Sequence, residues 1–377
     1  MLSTTHEVHL PLRKVVAVGV GNALAFYDFL TFSFFAIQIG RTFFPAGDAT
    51  HSLLYSLATF GVGFATRPVG GLVIGMFADR AGRKPAMILA FALMGAGIVG
   101  VALTPSYAQI GVAAPVLLVL FRLLQGFALS SLLAPADLDH WGWRAAFLIG
   151  AAIVPVGLIM RRNLPETHAG PASDAPKART PRRLIVIGLG LLGSAMTSAY
   201  VLDYTTTYAQ DSLHLTATVA FGATIVLGAT SIVADIAAGL LTDRVGRRPV
   251  MLTAVILFIL LAIPAYMAMV RFPSVGVVYA VAALIATLVA FTSGPGLISL
   301  TEALPKGVRS GAVGTIYAVA VAGFGGTTQF TIKWLTAVTG NPVAPAWYLT
   351  AALVMGAVAI WFMHETAPVK TGVMEDA

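Results

Sequence analysis

The chain has 377 residues, of which 58% are hydrophobic and only 10% are charged, with a mean hydropathy of +0.86. Soluble globular domains carry about 25% charged residues, so this composition excludes a soluble globular protein. The net charge of +7 arises from short basic loops among 38 glycines rather than from a continuous basic face, so no nucleic-acid partner is expected. The absence of cysteine excludes disulfides, thiolate metal sites and cysteine nucleophiles.

The apolar residues fall in runs of about twenty, the length at which a helix crosses a ~30 Å hydrocarbon layer. The predicted spans, in chain order, are residues 13–39, 52–77, 85–104, 112–133, 145–160, 184–208, 217–241, 249–270, 275–298, 311–335 and 345–363. The pattern therefore predicts an all-α polytopic protein with about 11 transmembrane segments, surrounded by membrane lipid.

The basic residues indicate orientation and domain organisation. Lysines and arginines are concentrated in alternate loops, and short basic loops are retained on the cytoplasmic side. We therefore expect a multi-pass protein of the cytoplasmic (inner) membrane with its N-terminus in the cytoplasm. The longest polar stretch, 161–183, holds four prolines and is typical of a linker. It separates an N-terminal helical half (1–160) from a C-terminal half (184–377).

One motif occurs in both halves, each time between the second and third spans. Its matching residues are Gly75, Asp79, Arg80, Gly82 and Arg83 in the first half and Gly239, Asp243, Arg244, Gly246 and Arg247 in the second. Ordinary cytoplasmic loops require only basic residues, whereas here glycines and an aspartate recur at the same offsets. We expect the glycine to let two helices approach closely and the aspartate to meet arginines or a helix N-terminus. The motif is predicted to act as a conformational latch.

This paired motif resembles the signature of the major facilitator superfamily, and the resemblance covers nearly the whole chain. Further segments resemble its metabolite:proton symporter branch, which carries citrate, 2-oxoglutarate, shikimate and zwitterionic osmolytes. They are Gly21-Asn22-Ala-Leu-Ala25-Phe-Tyr27-Asp28-Phe29, Arg67-Pro68-Val-Gly70-Gly71, Arg122-Leu-Leu-Gln125-Gly126, Tyr200-Val-Leu-Asp203-Tyr204-Thr-Thr-Thr-Tyr208 and Phe324-Gly325-Gly326-Thr-Thr-Gln329-Phe330. The resemblance implies two pseudo-symmetric helical halves around a central cavity.

Three ionisable residues are placed deep in the membrane by the helical rise. Asp28, Arg67 and Arg122 lie about 16 to 21 Å along their spans from the membrane face. Charges at this depth are costly unless they are paired, hydrated or functional. In a functional interpretation, an arginine holds a substrate carboxylate while Asp28 takes up and releases a proton. The alternative is a static buried ion pair that locks two helices.

The remaining candidates for substrate or proton contact are Asn22, Tyr27, Gln125, Tyr200 and Asp203. Asp203 lies about 30 Å along its span from the linker, at the outer mouth, where solvation is an equal alternative. Tyr200 begins a series of tyrosines four residues apart on one helical face. Such a stripe suits either a cavity lining or an interfacial belt, and a cavity position is favoured for Tyr200 only.

The predicted function is secondary active transport by alternating access, as proton-coupled symport of a small organic acid. Two alternatives stay open: proton-driven efflux of an amphipathic compound, and a truncated remnant that does not transport. No nucleophile, base and orienting group occur together, so no enzymatic activity is expected. The proton gradient is the expected energy source, without cofactor or metal, and the substrate is expected to be a small anion.

The first half is shorter than the second between matching landmarks. Asp79 and Glu166 are 87 residues apart, whereas Asp243 and Glu365 are 122 apart, a difference of 35 residues. That difference corresponds to one helix and a loop. We therefore expect a deletion around the fourth and fifth helices of a twelve-helix pattern.

Overall fold

The computed structural model describes residues 31–66, 83–125, 181–305 and 309–371. The regular structure within these ranges is helical. The helices are α1 (Ala36–Phe43), α2 (Ala49–Ala65), α3 (Arg83–Leu103), α4 (Tyr107–Ile110), α5 (Ala113–Gln125), α6 (Arg182–Asp203), α7 (Thr205–Asp211), α8 (Ala217–Val245), α9 (Arg247–Arg271), α10 (Val275–Ala303), α11 (Arg309–Ala320), α12 (Gly326–Thr339), α13 (Ala344–Phe362) and α14 (Pro368–Thr371), with a π-helical turn at Val321–Gly325.

The chain forms two compact units. One contains Met1–Phe32 and Val69–Pro171, and the other contains Ser33–Pro68 and Ala172–Ala377. Helices α1 and α2, which belong to the first half in sequence, thus pack in the second unit. The predicted boundaries of the two halves and the linker stay a prediction.

In the first unit, α3 and α5 pack against each other. Gly100 in α3 leaves room for the ring of Phe121 in α5, so the two helices approach closely at this level. The connection turns at Gly111, whose φ of +57° lies in the left-handed region that glycine adopts without strain. Helix α5 is described as far as Gln125, and the predicted span 145–160 and the predicted deletion lie outside the described residues.

In the second unit, α10 packs against α8 and α9, and α13 packs against α6 and α9. The core between these helices includes Phe258 and Tyr266, which are at most 1% exposed. Five helices are long and apolar enough to cross a membrane among the described residues: α6, α8, α9, α10 and α13. The predicted all-α membrane architecture is confirmed.

Several helices differ from their predicted spans. The predicted span 184–208 is divided at Tyr204 into α6 and α7, and α8 extends past the predicted end at residue 241 to Val245. Helix α10 extends past the predicted end at residue 298 to Ala303, because the polar Glu302 remains helical and forms an ion pair at that end. The predicted span 311–335 is divided by the π-helical turn at Val321–Gly325. Gly325 in this turn lies against Tyr200, since a Cβ at Gly325 would lie 2.5 Å from a ring carbon of that tyrosine.

Candidate functional site

Several predicted site residues lie outside the described part of the chain. These are Asn22, Tyr27, Asp28 and Arg67 of the predicted substrate and proton site, and Gly75, Asp79, Arg80 and Gly82 of the first latch motif. Gln125 and Arg83 are described by their helices only. The assignments of all these residues stay predictions.

Arg122 is buried in the first unit. It lies in α5 with 0% of its surface exposed, and its guanidinium carbon is 4.3 Å from the centre of the Phe32 ring. A guanidinium over an aromatic face is a cation–π contact worth about 2 kcal/mol when desolvated. Phe32 follows Asp28 by one helical turn in the predicted first span. Arg122 thus contacts the predicted first span at Phe32, within its own unit.

Tyr200 is the centre of an aromatic cluster in the second unit. Its ring centroid is 5.9 Å from that of Phe60 and 5.2 Å from that of Phe64, both in an edge-to-face arrangement. The tyrosine is only 7% exposed. Its main contacts are therefore aromatic packing between α6 and α2, and its role as a substrate contact stays a prediction.

The tyrosine stripe continues into the protein core. Tyr204 and Tyr208 are each 1% exposed, and the Tyr208 hydroxyl donates a hydrogen bond of 2.7 Å to the Pro342 carbonyl oxygen. Asp203 is the last residue of α6 and is half-buried. No described residue donates a hydrogen bond to its carboxylate or pairs with it. Asp203 is less buried than Tyr204 and Tyr208.

The second copy of the latch motif is built around Arg247. Its Nε donates a hydrogen bond to Glu302 Oε2, and its Nη2 donates one to Glu302 Oε1, both at 2.7 Å. Its Nη1 also donates to Asp243 Oδ1, at 3.1 Å. The Arg247 side chain is 7% exposed, whereas that of Asp243 is 65% exposed, so the bidentate pair with Glu302 is the more strongly desolvated contact.

Glu365 caps the first turn of α9. Its carboxylate accepts hydrogen bonds of 3.0 and 3.1 Å from the backbone N–H groups of Arg247 and Arg248, and of 2.9 Å from those of Thr366 and Ala367. Burial would raise the pKa of Glu365, but these backbone donors outweigh it and hold the pKa below its usual value. A negative charge at a helix N-terminus is also favoured by the helix dipole.

The two glycines of the second motif have different roles. Gly246 has a φ of +115°, and a Cβ there would lie 2.8 Å from a carboxylate oxygen of Glu365. No described residue would lie within 4 Å of a Cβ at Gly239. The expected close helix approach at Gly239 stays a prediction. Asp243 meets an arginine of its own motif, and Arg244 is exposed.

An ion pair and a buried polar contact between distant parts of the chain were not predicted from the sequence. Lys333 Nζ donates to both oxygens of Asp211, at 3.0 and 2.8 Å. Gln329 Nε2 donates to Ser33 Oγ, at 2.6 Å. A lysine inside an apolar span was a signal, but its partner is 122 positions away in the sequence. No cluster of three or more metal-ligating side chains occurs among the described residues.

The chain matches the family described as "Sugar (and other) transporter" over residues 14–136 and 172–375. It is 31% identical to a citrate-proton symporter of Salmonella typhi, with 91% of each chain covered. It is 28% identical to a citrate-proton symporter of Klebsiella pneumoniae, with 95% of this chain and 93% of that protein covered. A proline/betaine transporter of Escherichia coli (strain K12) is 27% identical, with 94% and 84% covered.

The fold is similar to that of a crystal structure of a D-xylose-proton symporter. The TM-score is 0.74, with 96% of this chain and 100% of that chain covered, at 16% sequence identity. At this identity the likeness concerns the fold alone. The inward open conformation of the xylose transporter XylE from E. coli gives a TM-score of 0.73 at 15% identity.

Proposed function

Since the chain belongs to the sugar and other transporter family of the major facilitator superfamily, we propose that it is a proton-coupled symporter of a small organic acid. Transport proceeds by alternating access between the two helical halves. The proposal of an anionic substrate rests on the burial of Arg122, whose guanidinium is fully buried in an apolar helix. A permanent positive charge at that depth attracts a carboxylate.

The relatives narrow the substrate to two chemical types. Two citrate-proton symporters are 31% and 28% identical to the chain, and this similarity supports a tricarboxylate or similar acid as the first candidate substrate. The proline/betaine transporters favour a zwitterion as the second candidate. In both types a carboxylate is available for an arginine. We propose the cytoplasmic (inner) membrane as the location, with the N-terminus, the linker and both latch motifs on the cytoplasmic side.

Uptake into proteoliposomes tests the proposal. Labelled citrate, 2-oxoglutarate, proline and glycine betaine are offered with and without an inwardly directed proton gradient. We expect uptake of a carboxylic acid that depends on the gradient and is lost in Arg122→Ala. Arg271→Ala, which removes an exposed arginine at the end of α9, is the matched control. Gradient-dependent export of an amphipathic dye without uptake of any acid would instead establish efflux.

We propose that Asp28 carries the proton and that Arg67 shares the substrate carboxylate with Arg122. Asp28→Asn keeps the shape of the side chain but removes its titratable group. Substrate exchange should then continue while accumulation driven by the proton gradient is lost. Unchanged gradient dependence in Asp28→Asn would make this residue structural.

We propose that the latch motifs stabilise one conformation of the carrier. The network of Arg247, Glu302 and Glu365 joins the ends of three helical segments at one membrane face, which supports this role. Asp79→Asn in the matching first motif should slow exchange without changing substrate affinity. A large loss of affinity with a normal exchange rate would contradict the latch.

We also propose that the first half lacks one helix. The alignment with the Salmonella typhi symporter extends over 396 residues, more than the 377 of this chain, so the chain has gaps relative to that protein. Single cysteines at Leu138 and at the exposed Arg244 can be tested with an impermeant thiol reagent in intact cells. Labelling at position 138 with protection at 244 supports a normal second half; labelling at 244 implies an inverted one.

A further inference from the structure

A buried polar contact joins Ser33, in the first predicted span, to two helices of the C-terminal half. The Thr207 hydroxyl in α7 donates to the Ser33 carbonyl oxygen at 3.1 Å, and Gln329 Nε2 in α12 donates to Ser33 Oγ at 2.6 Å. All three residues are 0% exposed. Ser33 is therefore held from two different helices at once, which requires a fixed spacing between α7 and α12.

A second contact, close to the polar one, is the tight apolar packing of α2 against α12. A Cβ at Gly61 would lie 2.5 Å from the Gly326 carbonyl oxygen, and one at Gly326 would lie 2.9 Å from Phe64 Cβ. The backbones of α2 and α12 thus meet directly. We use the term docking seam for the residues Ser33, Gly61 and Phe64 together with Tyr200, Thr207, Gly326 and Gln329.

One buried hydrogen-bond acceptor in the docking seam lacks a described donor. Gln329 Oε1 is buried, and no described residue donates a hydrogen bond to it. A buried amide oxygen without a donor is unfavourable relative to its hydrated state. This oxygen would gain a hydrogen-bond donor if the seam opened to water.

The Asp211–Lys333 ion pair lies one helical turn beyond the polar contact. Asp211 follows Thr207 by four residues in α7, and Lys333 follows Gln329 by four residues in α12. The side chains of Asp211 and Lys333 are only 19% and 9% exposed. Unlike the seam, this pair joins two helices of the same half, so it need not break when the halves move.

We propose that Asp211 and Lys333 are positioning residues, whose ion pair fixes the spacing of α7 and α12 so that Thr207 and Gln329 can both hold Ser33 and close one end of the transport pathway. A buried ion pair is a weak source of stability but can specify one arrangement of helices. The proposal rests on transport by alternating access. It assigns the pair a permanent role in the carrier and the docking seam a reversible one.

Thiol accessibility at Ser33 tests this without any substrate. The chain has no cysteine, so Ser33→Cys introduces a single thiol into the purified full-length protein. Its rate of reaction with a water-soluble maleimide in detergent is compared in four backgrounds: the otherwise unchanged chain, Asp211→Asn, Lys333→Gln, and the exchanged pair Asp211→Lys with Lys333→Asp. Gly47→Cys, at an exposed position with nothing within 4 Å, controls for reagent access.

We expect each single substitution to raise the reaction rate at Ser33→Cys at least tenfold, and the exchanged pair to restore it to within about threefold. The rate at Gly47→Cys should not change. Equal rates in all backgrounds, or a folded exchanged pair that reacts as fast as the single variants, would overturn the proposal. If the single variants yield no folded protein, the labelling rate of Ser33→Cys in the folded exchanged pair decides alone: a rate within about threefold of that in the unchanged chain supports the proposal, and a faster one overturns it. Failed acid uptake with the expected labelling pattern would refute the proposed substrate and leave the seam intact.

Discussion

Replacing the two glycines of the second latch motif by alanine should change stability in opposite directions. At Gly246 an alanine must adopt a φ of +115° and ψ of 149°, a region open essentially to glycine only, at a cost of about 1 to 3 kcal/mol. Its Cβ would also lie 2.8 Å from a Glu365 carboxylate oxygen, and displacing one charged hydrogen bond adds about 1.5 kcal/mol. We therefore expect Gly246→Ala to lower the unfolding free energy by about 3 kcal/mol.

The control is Gly239→Ala, in the interior of α8, where no described residue would lie within 4 Å of a Cβ. Alanine is favoured over glycine in a helix by about 0.5 to 1 kcal/mol, so this variant should be slightly more stable. At about 2 to 4 °C per kcal/mol, Gly246→Ala should lower the apparent Tm of the purified protein by about 6 to 12 °C, measured by thermal shift. Equal effects at both positions, or no effect at Gly246, would refute the assigned backbone role.

Three further predictions follow from described contacts. Because the folded pKa of Glu365 is lowered, its contribution is complete above the usual value of 4.5 and is lost as the pH falls through the folded pKa; the Tm difference between the unchanged protein and Glu365→Gln should be constant from pH 7 to about 5 and narrow below that. Gly61→Ala should lower the Tm by about 5 °C, since overpacking against a backbone 2.5 Å away costs about 1 to 3 kcal/mol; an unchanged Tm would contradict the close approach. Glu302→Gln should lower the Tm by about 5 °C but Asp243→Asn by less than about 2 °C. Both carboxylates pair with Arg247, but the Glu302 side chain is 31% exposed and the Asp243 side chain is 65% exposed. The reverse order would contradict the described network.

The apolar spans were predictable because their signal is local. A run of about twenty apolar residues defines a membrane helix wherever its neighbours lie, and the helices α6, α8, α9, α10 and α13 agree with that pattern. The π-helical turn at Val321–Gly325 was not predicted, since the small residues there are compatible with an uninterrupted helix. Its position against Tyr200 depends on a neighbour that periodicity does not identify.

Local sequence patterns identified some site residues but not their partners in distant parts of the chain. The repeated motif identified Asp243 and Arg247, which do meet. Their stronger partner Glu302 is 55 positions from Arg247, and Glu365 is 118 positions from it. Helical spacing places Tyr200, Tyr204 and Tyr208 on one face, but only the packing shows that the last two enter the core. Pairings across the chain depend on topology, which one sequence carries only through its resemblance to a family.

The grouping of Ser33–Pro68 with the C-terminal half has a consequence for biosynthesis. Ser33 is held by Thr207 and Gln329, which follow it by 174 and 296 residues. At a synthesis rate of about 5 to 20 residues per second, the later partner is made about 15 to 60 s after Ser33. Until then the contacts of Ser33 with Gln329 and of Gly61 with Gly326 cannot form. Assembly of this unit therefore waits for the end of translation, and a nascent chain arrested in the linker would present Ser33 and Gly61 without these contacts to lipid or to insertion chaperones.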